Sequence, residues 1–238
     1  MLYIYSGDVP ALDKRLRKAL GAGHIVLPIP ARPSATRDAT VMAACLRDQG
    51  LCARVPSARD YRDPERLRRA VMNSQAVFLL GGNTYAFLNY ARAVGLFELL
   101  ADFEAQGGIV ASESAGSIVL SPTIATAAIP TFDADEPSED CRDYLGMGRI
   151  PFHISPHYDP HRPSAAKDML ELRTLAHATR TPVLVLRDRE GVVMEDERIT
   201  HVVGQPLWLS PDDAPSARVV LPEWAVRPMR LTAAHAVV

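Results

Sequence analysis

The sequence is poor in several things, and each shortage removes a class of protein. It holds only three cysteines, Cys45, Cys52 and Cys141, in 238 residues. An odd, irregularly spaced set suits reduced thiols better than a disulfide framework or a zinc site. Aromatic residues are scarce at 6%, and Lys plus Arg (26) nearly balances Asp plus Glu (28), for a formal net charge of −2. A general nucleic-acid binder would carry a basic excess, so no nucleic-acid partner is expected. Long apolar runs are missing too. The best are Ile25–Pro30, Ala76–Leu80 and Pro182–Leu186, far below the roughly 20 residues that cross a bilayer as a helix. The opening MLYIYSGDVP has no basic stretch leading into an apolar one, so neither a secretory signal nor a membrane partner is expected, and the location implied is cytoplasmic.

What remains is ordinary globular composition, 47% hydrophobic and 23% charged. A chain of this length buries roughly 70–75% of its unfolded surface, and residues 1–238 are expected to form one domain. Short apolar runs alternate with helical patterns through the first two-thirds, as in parallel βαβ units. Strands are expected at Leu2–Tyr5, His24–Leu27, Cys52–Val55, Ala76–Leu80 and Ile109–Ala111. Helical spacing marks Asp38–Gln49, Pro64–Asn73 and Asn83–Leu100. In the last of these Phe87, Leu88, Ala91, Val94 and Leu99 form an apolar stripe, with Asn83 or Thr84 as its cap. Thr123–Arg149, acidic and aperiodic with Pro130 and Pro137, reads as a long surface loop. Then come a strand (Phe152–Ser155), a helix (Ala165–Thr179), strands between Val183 and Leu221, and a weakly patterned tail, Trp224–Val238. The expected architecture is a three-layer α/β domain with a mostly parallel sheet and a small antiparallel addition at the C-terminus.

Three segments carry candidate chemistry. In Gly108-Ile-Val-Ala-Ser-Glu-Ser-Ala-Gly-Ser117 a strand enters a small-residue turn and then an apolar helix start. That arrangement suits a nucleophile elbow, with Ser114 projecting and the Ala115 N–H facing a developing oxyanion. It departs from G-x-S-x-G only in Ser112, and the plain alternative is a capping serine. Leu80-Gly-Gly-Asn-Thr84 follows a strand, and its glycines Gly81 and Gly82 allow close approach to a ligand. The alternative is a glycine turn with Asn83 as a cap. Phe152-His-Ile-Ser-Pro-His-Tyr-Asp-Pro-His161 supplies His157 as a general base, or His153, His157, Asp159 and His161 as metal ligands. In an open parallel sheet, three such strand-end loops converge at the carboxyl edge.

Taken together, Ala76–Thr84, Glu113-Ser-Ala-Gly-Ser117 and Ile154-Ser-Pro-His-Tyr158 resemble the peptidase E family of serine peptidases, which includes the aspartyl dipeptidases and cyanophycinases. The likeness covers roughly residues 50–195, with a weaker echo at Arg189-Glu-Gly191. It implies a flavodoxin-like fold related to class I glutamine amidotransferases and a homodimer. It also implies a serine exopeptidase acting on dipeptides or short peptides, without metal or organic cofactor. Ser114 would be the nucleophile and His157 the base, with oxyanion donors from Ala115 and the Gly81-Gly82 turn and Asn83 beside them. The sequence departs from the family in two places. The acid that peptidase E places soon after the nucleophile helix has no counterpart in Thr126-Ala-Ala-Ile-Pro130, so Glu190 is favoured as the third residue over Asp133 and Asp135. Met169 stands where the aspartyl dipeptidase has an arginine, with Lys167 and Arg173 offset, which argues against specificity for an amino-terminal aspartate. Two competing functions follow: a small-molecule binding protein whose elbow is inactive, and a metallohydrolase using the 153–161 cluster.

Overall fold

A computed structural model describes residues 1–221 and Ala225, apart from 22, 132–133, 138–140, 142, 214 and 218–219. Apart from Ala225, the expected tail lies outside the described residues, as does Asp133.

Seven strands form the main sheet in the order β3-β2-β4-β5-β1-β8-β9. β1 (Leu2–Tyr5), β2 (Ile25–Ile29), β3 (Cys52–Ala53), β4 (Ala76–Leu79) and β5 (Ile109–Glu113) are mutually parallel, whereas β8 (Gly191–Glu195) and β9 (Arg198–Val203) close one edge antiparallel. A second sheet pairs β6 (His153–Ser155) parallel to β7 (Val183–Val185), with β10 (Leu207–Leu209) antiparallel beyond it. Every residue of β1 and β4 is buried, as expected of parallel strands covered on both faces.

Right-handed crossovers decide which helix covers which face. The chain steps from β1 to β2 and from β2 to β3 in one direction, placing α1 (Pro10–Leu20) and α2 (Thr36–Asp48) on one face. It steps the other way from β3 through β4 to β5. That puts α3 (Ala58–Arg62), α4 (Pro64–Met72), α5 (Thr84–Ala93) and α6 (Leu96–Ala105) opposite, where α4 and α5 both pack on α6. α7 (Ala115–Ile118) follows β5, and α8 (Ala165–Thr179) covers β7 and β10.

Three expectations are corrected. Asn83–Leu100 is two helices, because Gly95 adopts φ 66°, a left-handed conformation that ends one helix and starts another. α1 was not anticipated, although Pro10 begins it and Leu12, Leu16 and Leu20 are spaced for one buried face. Among its described residues, the segment 123–149 contains a 3-10 turn (Ala125–Ala127) and a bridge between Thr123 and Leu145 and no other regular element. It is not a surface loop throughout, since Ile124, Ala125, Thr126, Ala127, Ile129 and Cys141 are buried.

Candidate active site

The carboxyl ends of β1, β4 and β5 meet in register, with Tyr5 beside Glu113 and Leu79 beside Ser112. At that edge β5 turns abruptly into α7. Ser114 sits at the turn with φ 49° and ψ −117°, a backbone state that costs a non-glycine residue about 1–3 kcal/mol and persists only when its surroundings impose it. They do so here. Ser114 N–H bonds Tyr5 carbonyl, and its carbonyl receives the N–H groups of Ser117 and Ile118. Gly116 is required because a Cβ there would lie 2.3 Å from the Leu79 carbonyl oxygen. Ser112 tolerates the usual glycine position by burying its hydroxyl against Ser117 Oγ at 3.0 Å.

His157 reaches this serine from the loop after β6. Its Nε2 lies 2.9 Å from Ser114 Oγ, and its Nδ1 lies 2.7 Å from Asp188 Oδ1. His157 also has positive φ (59°), and its N–H donates to Ser6 Oγ at 2.8 Å, tying the imidazole's backbone to the end of β1. The carboxylate beside the ring is therefore Asp188, and the expectation of Glu190 is corrected by two positions. Glu190 is buried and already committed: its Oε2 accepts Arg187 N–H at 2.8 Å and its Oε1 accepts Gln205 N–H at 2.9 Å. It braces the turn on which Asp188 stands. The alternative acid Asp135 is also engaged elsewhere, accepting Thr84 N–H at 2.8 Å.

The Gly81-Gly82 turn lies against the serine, as a Cβ on Gly81 would be 3.3 Å from Ser114 Cβ. Gly81 N–H donates to Glu113 Oε1 at 3.3 Å. Gly82 N–H and Ala115 N–H have no hydrogen-bond partner among the described residues. Asn83 does not face the serine: Oδ1 caps α5 at Ala86 N–H, and Nδ2 donates to the Glu136 carbonyl at 2.8 Å. Burial raises the Glu113 carboxyl, partly countered by the Gly81 N–H and the nearby His157. His153 is enclosed, and burial lowers it to about 4. It stays apart from exposed His161, and no group of three or more His, Cys, Asp or Glu side chains among the described residues could hold a metal ion. That arrangement does not supply the ligand set of a 153–161 metallohydrolase.

Comparison with known proteins decides the family. Residues 10–202 match Peptidase family S51. The chain belongs to that family. A protein named Peptidase E from Salmonella arizonae is 31% identical over 98 residues, 41% of this chain and 40% of that one. A Drosophila melanogaster protein named "Probable alpha-aspartyl dipeptidase" is 29% identical over 145 residues, 58% of this chain and 57% of its own length. The S51 chain thus spans between two-fifths and three-fifths of the curated relatives it matches. A crystal structure of a Listeria monocytogenes protein named for peptidase E superposes with a TM-score of 0.68 at 20% identity, covering 87% of this chain and 98% of that one. A peptidase from an acI-B1 Actinobacterium gives 0.64 at 18%, covering 88% and 90%. These two likenesses establish the α/β fold.

Proposed function

We propose that this S51 protein is a serine exopeptidase working through Ser114, His157 and Asp188. The observation that carries the reading is the continuous hydrogen-bonded chain from Asp188 through His157 to the hydroxyl of a strained strand-to-helix serine. A nucleophile, a base and an orienting acid need that order of contacts. Ser114 Oγ attacks the scissile carbonyl while His157 Nε2 takes its proton. The tetrahedral oxyanion is held by Ala115 and Gly82 N–H. Collapse breaks the C–N bond, and His157 returns the proton to the leaving amine. A water, deprotonated by the same imidazole, then hydrolyses the acyl-serine. Asp188 keeps the imidazole in its required tautomer and stabilises its protonated form.

The expected outcome with a serine-directed phosphonate is stoichiometric labelling of Ser114 that is lost in Ser114→Ala. The same variant should reduce dipeptide turnover by about 10³-fold or more. Undiminished turnover by Ser114→Ala refutes the reading. The family resemblance also supports a homodimer, the odd and irregularly spaced cysteines suit a cytoplasmic protein, and the chain length suits one domain. Sedimentation and cell fractionation test those proposals.

A further inference from the structure

Glu113 directly precedes Ser114 but does not face the same space. Ser114, His157 and Gly82 border a cavity of about 120 Å³ whose far wall holds Thr126 and Asp135, and Glu113 is not part of its lining. The Glu113 side chain lines another cavity of about 120 Å³, together with Tyr5, Val9, Asp13 and Phe78. From there it reaches back to the glycine turn, where its Oε1 accepts Gly81 N–H at 3.3 Å. The end of the strand ladder explains this contact. Successive N–H groups of a strand flanked on both sides alternate between its two neighbours. Leu80 N–H goes to the Ile29 carbonyl of β2, so Gly81 N–H turns toward β5. There β5 is already bending into α7, and Gly81 N–H has no backbone acceptor among the described residues. The Glu113 carboxylate stands where a strand carbonyl would otherwise be.

We propose that Glu113 is a positioning residue for the oxyanion turn: it pins Gly81 N–H and so holds the next peptide with Gly82 N–H directed beside Ser114. The inference rests on Ser114 being the nucleophile, and the experiment separates the two. Two successive glycines are freer in backbone conformation than any other pair. Catalysis needs the opposite, donors that are fixed before the charge develops. A Cβ on Gly81 would lie 3.3 Å from Ser114 Cβ and 3.7 Å from Glu113 Oε1, so the turn sits between the nucleophile and this carboxylate. Stability alone would not select the arrangement. Burial raises the Glu113 carboxyl, and the charges of Asp13 and Asp8 raise it further. A carboxyl group kept in such surroundings points to a use. Because Glu113 lies outside the cavity that Ser114 borders, its use is exerted through the turn.

Substitutions at Glu113 separate reach from charge. Glu113→Gln keeps an acceptor at the same reach and drops the charge. Glu113→Asp keeps the charge and withdraws it by one methylene, and Glu113→Leu removes both. The first readout is the rate of Ser114 phosphonylation by an alkyl fluorophosphonate. Ser114 Oγ bonds to phosphorus, fluoride leaves, His157 takes the hydroxyl proton, and the phosphoryl oxygen occupies the place of the oxyanion. The second is kcat and KM on Ala-Ala. Loss of a whole oxyanion donor costs about 10²–10³ in kcat, and misdirecting one costs less. Glu113→Asp and Glu113→Leu should therefore lower both rates by about 10- to 100-fold, with KM changed by no more than about twofold. Glu113→Gln should restore both rates to within about threefold of the wild type. If Glu113→Leu does not fold, as its Tm will show, Glu113→Asp decides. The phosphonylation rate is decisive whichever peptide is the substrate. The assignment is overturned if Glu113→Asp reacts as fast as the wild type, if Glu113→Gln is as slow as Glu113→Leu, or if the defect lies in KM alone. Those results would leave the serine peptidase reading intact. A wild type that is neither labelled at Ser114 nor active on peptides would overturn that reading, and this one with it.

Discussion

At the scale of single residues, the strand-to-helix turn at Ser114 was legible from sequence and the carboxylate beside His157 was not. Ser114 follows a β run and precedes the small residues Ala115, Gly116 and Ser117, and the need for Gly116 against Leu79 is a steric requirement that leaves a trace in the chain. Asp188 leaves none. It sits on an irregular turn in which Asp188 and Glu190 are both acidic, and only the turn's hydrogen bonds decide which carboxylate faces the ring. Their substitutions should separate in kind. Asp188→Asn should lower kcat by about 10²–10⁴ with Tm nearly unchanged. The lower end is favoured because the Asp188 side chain is 75% exposed, and water there partly replaces the lost charge. Glu190→Gln loses one of two acceptors for partly buried backbone N–H groups, so it should cost about 1–2 kcal/mol of stability, read by denaturant titration. A stable Glu190→Gln protein with the larger kcat defect would restore the first assignment.

At the scale of elements, periodicity identified most of the sheet and misplaced a helix boundary. The stripe from Phe87 through Leu99 continues across Gly95 because both α5 and α6 bury their apolar faces in the same layer. Spacing alone therefore cannot distinguish one helix from two packed end to end. The left-handed glycine makes the difference. A Cβ at Gly95 would meet only Glu98 Oε2, at 3.9 Å, so substitution there tests conformation with little steric confusion. Gly95→Ala should destabilise by about 1–2 kcal/mol, and Gly95→Asn by less, since Asn tolerates this region better. Equal stability of all three would mean that the helix break is maintained by packing. The same logic explains the 123–149 segment: no period marks it, yet its apolar Ile124, Ala125, Ala127 and Ile129 are buried and carry Thr126 and Asp135 to the site.

At the scale of the whole molecule, two buried ionisable groups pull stability in opposite directions with pH. Burial raises the Asp13 carboxyl from 3.8 to about 6, with the Tyr5 hydroxyl opposing and Asp8 assisting. Burial lowers His153 from 6.5 to about 4, against a weaker contribution from the Thr123 backbone. Between roughly pH 4 and 6 the native protein holds a proton on Asp13 and none on His153, whereas the unfolded chain holds the reverse. Their contributions to proton uptake on unfolding therefore cancel, and so do their slopes of at most about 1.4 kcal/mol per pH unit each. Asp13 supports the fold fully below pH 3.8 and loses that support as pH rises through 6. His153 supports it above 6.5 and loses that support as pH falls through 4. Asp13→Asn removes the first and exposes the second. The variant should match the wild type near pH 4 and gain on it steadily to pH 6, levelling at roughly 2–3 kcal/mol above pH 6.5. Urea titrations at four or five pH values measure the difference. A gap that is constant with pH would show that Asp13 is not held protonated in the native protein.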